Sequence, residues 1–155
     1  MRTVANWLED YAESHAHPTN KLLHWICVPP IVMSVMGFLW SVPVPATFAE
    51  ISPWLNWATI VAALAVVYYI ALSVPLAIGI TIAFAGLFAV LHALTELPWP
   101  LWATSLAIFV VGWIGQFTGH AIEGKRASFF QDIQFLLIGP LWLVAAVYRR
   151  LGIPY

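Results

Sequence analysis

Apolar residues run almost without interruption through residues 22–42, 54–73, 75–91 and 101–119. A bilayer-crossing helix needs about 20 mostly apolar residues, so each stretch is long enough to span. A fifth stretch, 133–148, is shorter, is interrupted by Gly139-Pro140 and ends in Arg149-Arg150. A span, a kinked re-entrant hairpin and an interfacial helix all fit that pattern. The first twenty residues differ. Trp7, Leu8, Tyr11 and Ala12 recur at helical spacing among Glu9, Asp10 and Glu13, which predicts a short amphipathic helix lying on the membrane face or on the bundle. His17-Pro18 biases residue 17 toward extended backbone and ends that helix. The acidic start lacks the basic-then-apolar order of a signal peptide.

Composition turns this pattern into a class. Of 155 residues 62% are hydrophobic and 8% charged, against about 25% charged in soluble domains, and the mean hydropathy is +0.87. A chain this small cannot bury so much apolar surface in one core, so lipid must be its solvent. The net charge of -1 leaves no footprint for nucleic acid. Cys27, the single cysteine, excludes an intramolecular disulfide.

The cations orient the spans. Arg2 and Lys21 precede the first span, Lys125 and Arg126 follow the fourth, and Arg149 and Arg150 close the fifth segment. Four crossings with a fifth segment that does not cross put all of them on one side, the cytoplasmic one. The expected architecture is therefore an all-α integral membrane protein, a single transmembrane domain over residues 1–155. It is a four-span bundle with an N-terminal amphipathic helix, a C-terminal re-entrant or interfacial segment and both termini cytoplasmic. Gly112, Gly115 and Gly119 share one face of the fourth span and suit close helix packing. A bacterial inner membrane is favoured over the endoplasmic reticulum, and the oligomeric state is left open.

Five histidines are the main chemical signal in so apolar a chain, because ionisable groups at membrane depth are costly. His15, His17, His24 and His120 fall at the cytoplasmic end, and His92 at the other. Gln116, His120 and Glu123 are spaced four and three apart and share a helix face. Imidazoles with a carboxylate form a mixed N/O metal site suited to Fe(II), Zn(II) or Mn(II). The candidate ligands are His15, His17, His24 and His120, with Glu123 as a further catalytic candidate. Asn20 is placed to cap the first span. Lys125 and Arg126 serve as topology anchors or hold the anionic group of a lipid.

Two segments carry a resemblance. Tyr11-Ala-Glu-Ser-His15-Ala-His17-Pro18-Thr-Asn20-Lys-Leu-Leu-His24, followed by Val28-Pro29, and Gln116-Phe-Thr-Gly119-His120-Ala-Ile-Glu123-Gly124-Lys-Arg resemble the signatures of the 2-hydroxy fatty acid dioxygenase family, fungal and bacterial. The resemblance implies an Fe(II)-dependent membrane enzyme that takes a 2-hydroxy fatty acid and O2 and releases the acid shortened by one carbon. It implies His15, His24 and His120 as ligands or essential residues. Asn20, Gln116, Lys125 and Arg126 are the candidates to hold the substrate. Ala127-Ser128 stands where Pro-Ala is expected, and His17 where fungal members have Asn. The competing readings are a non-catalytic haem or metal carrier, a lipid-binding membrane protein and a zinc hydrolase of lipid esters.

Overall fold

A computed structural model describes residues 2–126 and 134–155. Ala127 and Ser128, and the expected start of the last segment at Ile133, lie outside the described residues. Among those described there are seven helices and no strand: α1 (Val4–Glu13), α2 (Pro18–Ser41), α3 (Ala46–Ile51), α4 (Trp57–Leu72), α5 (Val74–Thr95), α6 (Leu101–Glu123) and α7 (Phe135–Leu151). Of these α2, α5 and α6 are long and apolar enough to cross a membrane. α4 is apolar throughout but has 16 residues.

α1 is amphipathic as expected. Thr3 caps it by accepting from the Asn6 amide at 3.3 Å, and Trp7, Leu8 and Tyr11 are buried. Its apolar face packs on α7, with Trp7 edge-on to Phe135 at 5.4 Å. α2 begins earlier than the apolar run indicated. Pro18 fits the first helical position, where its missing N–H would be unpaired anyway, and His17 Nδ1 accepts from the Thr19 amide at 3.2 Å. The cap is therefore His17, and the expected capping residue Asn20 is inside the first turn and fully buried. The short helix α3, which follows Pro45, falls in a stretch expected to be loop.

α2 and α6 form the most extensive helix pair and run antiparallel, with Asn20 opposite Gly119, Cys27 opposite Gly115 and Ile31 opposite Gly112. A Cβ on Gly112 would stand 2.6 Å from Ile31 Cγ1, on a branched side chain with little freedom to move. Gly112→Ala is expected to cost about 1–3 kcal/mol through overpacking. Thermal unfolding in detergent should show that loss, and an added Ile31→Ala should recover much of it.

α4 and α5 form a hairpin. Asn56 and Thr59 make reciprocal cap bonds of 3.1 and 3.0 Å at its start. At the turn Ser73 ends α4 and caps α5 together. α7 is buried along much of its length and is tied to this hairpin at both ends. Tyr69 donates to the Leu137 carbonyl at 2.8 Å, and Tyr148 donates to the Pro75 carbonyl at 2.9 Å. Tyr69 and Pro75 flank the same turn, so the first and last turns of α7 both meet one end of the hairpin.

Three of the six cations are held on the helices that meet at that end. Arg150 lies over the Trp25 ring at 5.4 Å, Lys125 donates to the Glu13 carbonyl at 2.7 Å, and Arg2 pairs with Asp10. The opposite end carries tryptophans: Trp57 donates to the Pro43 carbonyl at 3.1 Å and Trp40 packs against Trp54. Outward faces expose Leu64, Val67, Ile82, Val111 and Ile114, which an aqueous surface would not tolerate as a band.

Candidate metal centre

Three imidazoles meet where α1 ends, α2 begins and α6 finishes. His15, His24 and His120 are 1, 2 and 6% exposed. They offer ring nitrogens that all lie within 4.8 Å of one another.

Backbone carbonyls orient two of them. His15 Nδ1 meets the Tyr11 carbonyl at 2.5 Å, and His24 Nδ1 meets the Asn20 carbonyl at 3.1 Å. A carbonyl only accepts, so each Nδ1 carries the proton and each Nε2 presents a lone pair. Those two Nε2 atoms face each other at 2.8 Å. Bare lone pairs in such contact repel unless a cation lies between them, and an N–H held by a carbonyl is the usual support behind a metal-binding imidazole. His120 Nδ1 is buried and has no hydrogen-bond partner. The donor set therefore fits a metal ion of imidazole preference.

Aromatic rings hold the centre in place. Tyr11 stacks on His15, centroids 4.1 Å apart and planes 16° apart, and Trp142 lies 5.9 Å from the same ring. Neither was singled out for the site. Tyr11 did carry a signal, since it precedes His15 by one helical turn, but its apolar spacing suggested only packing. Trp142 carried none, being brought in by the docking of α7. Beside the imidazoles lies a cavity of about 70 Å³, room for about two waters. Its other walls include Val28, Trp113, Gln116, Phe135 and Pro140.

The remaining candidates separate. Gln116 is buried on this cavity, its side-chain amide reaching toward the Cys27 thiol. His17 is exposed and serves as the cap of α2. Its ring is not among the three that group together. Glu123 is likewise outside the histidine group: Oε1 accepts from the Ala16 amide at 3.0 Å, and Oε2 accepts from the His17 amide at 2.8 Å and from Asn20 Nδ2 at 3.2 Å. The mixed N/O site is thus replaced by an all-imidazole group with a carboxylate clasp behind it. Asn20 Nδ2 also donates to the Ser14 carbonyl at 3.2 Å, so Asn20 knits the segment that carries His15. Lys125 and Arg126 are exposed and do not line the cavity. His92 packs against Trp54 at the far end.

Comparison with known proteins decides the kinship. The family model described as 2-hydroxy-palmitic acid dioxygenase Mpo1-like matches residues 1–151. The chain belongs to the Mpo1-like family. The resemblance drawn from the two histidine segments is borne out. The chain is similar to the 2-hydroxy-palmitic acid dioxygenase MPO1 of Saccharomyces cerevisiae, 26% identical over 146 residues, covering 92% of this chain and 78% of the relative. No solved structure matches it.

In this Mpo1-like chain burial pushes the His15 pKa down from 6.5 to about 4, against the opposing pull of its bond to the Tyr11 carbonyl. The imidazole is thus neutral, the form that binds metal. Above about pH 6.5 it is neutral folded and unfolded, and contributes no pH dependence. As pH falls from 6.5 toward 4 only the unfolded chain takes up the proton, so stability drops. Below about 4 both forms are charged and the loss levels off. Unfolding of chelator-treated protein across that range should show the decline, and His15→Phe should make it shallower.

Proposed function

We propose that this protein is an Fe(II)-dependent 2-hydroxy fatty acid dioxygenase that releases the acid one carbon shorter. The observation that carries the reading is the pair of bare Nε2 atoms at 2.8 Å, backed by carbonyl-bound Nδ1 atoms and joined by His120. His15, His24 and His120 would hold the ion. Iron bound there would supply the one-electron chemistry that lets O2 react with a closed-shell acid. The substrate's C1–C2 bond breaks, C2 becomes the new carboxyl and C1 leaves as carbon dioxide, with water as the other product. The electrons released are those O2 takes up, so no external reductant is needed.

The chain's own groups account for the rest. Gln116, buried on the cavity wall, donates from Nε2 to the 2-hydroxy-carboxylate head, and Tyr11, Trp113 and Phe135 keep water away from it. A haem carrier is disfavoured, because 2.8 Å between the Nε2 atoms of His15 and His24 leaves no room for a porphyrin between them. We further infer four spans, α2, α4, α5 and α6, with α7 lying across the cation-rich end. That end faces the cytoplasm of a bacterial inner membrane by the charge bias, and membrane lipid surrounds the bundle.

The test is anaerobic purification, loading with Fe(II) and admission of air with 2-hydroxyhexadecanoate, products being read by mass spectrometry. The expected result is pentadecanoate, dependent on iron and O2 and absent with a chelator. Folded, iron-loaded protein that forms no shortened acid would overturn the reading.

A further inference from the structure

A second cavity lies behind the first. It is a cleft of about 370 Å³ between α2, α5 and α7. Val28, Val32 and Pro140 line both spaces, so the two adjoin across these side chains. α5 lines it from Ile80 to Val90, about 15 Å at the helical rise. Every side chain around it is hydrocarbon or thioether, and Gly86 leaves a gap in the wall. Pro29 and Pro30 belong to the same wall. Neither can donate the helical hydrogen bond of its position, a known cause of local bending in helices.

Resting on the dioxygenase reading, we propose that this cleft seats the alkyl chain of the substrate and that Gly86 sets the chain length accepted. The polar head stays with the histidines and Gln116, and the chain passes over Val28, Val32 and Pro140 into the cleft. The occupant is an unbranched alkyl chain because the histidine cavity adjoins this wholly apolar cleft along Val28, Val32 and Pro140. A lone apolar groove would fit any lipid; one that shares three wall residues with the reaction site fits the tail of the molecule whose head reacts there. No atom stands within 4 Å of a Cβ built on Gly86, so a larger side chain there fills cleft space without displacing backbone.

Gly86→Phe is therefore expected to lower kcat/KM for 2-hydroxyhexadecanoate about tenfold or more while 2-hydroxyoctanoate stays within about twofold, a loss confined to the far end of the chain. Ala83→Trp, on the same stretch of α5, serves as a second variant. Equal losses at both chain lengths in folded variants, or none at either, would overturn the proposal. Binding is read separately with a 2-hydroxy fatty acid that carries a diazirine at its far end, using metal-free protein. Crosslinks to residues 83–90 that excess 2-hydroxyhexadecanoate suppresses support the cleft. Labelling spread over outward faces such as Val111 and Ile114, without competition, overturns it. Competed labelling in a protein that turns over no 2-hydroxy acid would uphold the cleft and reject the dioxygenase reading instead.

Discussion

His120→Ala is expected to abolish turnover, a loss of at least about a thousandfold, the scale of a lost transition-state group, while the bundle persists. Its Nδ1 has no hydrogen-bond partner, so the substitution orphans nothing at that atom and mainly removes a donor from the centre. His24→Ala would in addition free the Asn20 carbonyl that now accepts from the ring. That makes His120 the cleaner probe. Bound iron per chain, helicity and 2-hydroxy acid consumption should be measured together. Lost iron and lost activity with helicity unchanged is the expected pattern, and full activity without His120 would exclude the three-imidazole centre.

Glu123→Ala should lower iron affinity by about 10–100-fold, the range seen when groups supporting ligands are removed. The carboxylate accepts three N–H groups from residues 16–20 and so holds the segment that presents His15. Glu123→Gln is expected to do little better. One carboxylate oxygen becomes an NH2 group, and a donor then faces backbone donors. Excess Fe(II) should recover much of the rate in either variant. A general base would behave otherwise: its loss would leave iron affinity intact, and added metal would restore nothing. Iron titration beside steady-state kinetics separates the two roles.

Much of this arrangement was legible in residue order. The apolar runs located α2, α4, α5 and α6, and the alternation of Trp7, Leu8 and Tyr11 with acids located α1. Charge bias gathers His15, His24 and His120 at one end. What failed did so for local reasons. His17 counted as a ligand because it is a histidine near others, yet Pro18 makes it the residue before a helix, where its ring turns to the Thr19 amide. Glu123 shares a face with His120, but spacing fixes a direction and not a partner. Its carboxylate reaches the amides of a segment more than a hundred positions earlier. The path of α7 was illegible because it depends on two tyrosine hydroxyls from distant helices finding carbonyls there.

The docking of α1 on α7 also orders the birth of the molecule. α1 leaves the ribosome well before α7, so during synthesis its apolar face waits for that partner. Such long-range pairing is slow to form. His24 and His120 come together with the α2 and α6 pair, whereas His15 rides on the arm that settles last. The nascent chain therefore holds an incomplete trio of imidazoles until α7 is in place.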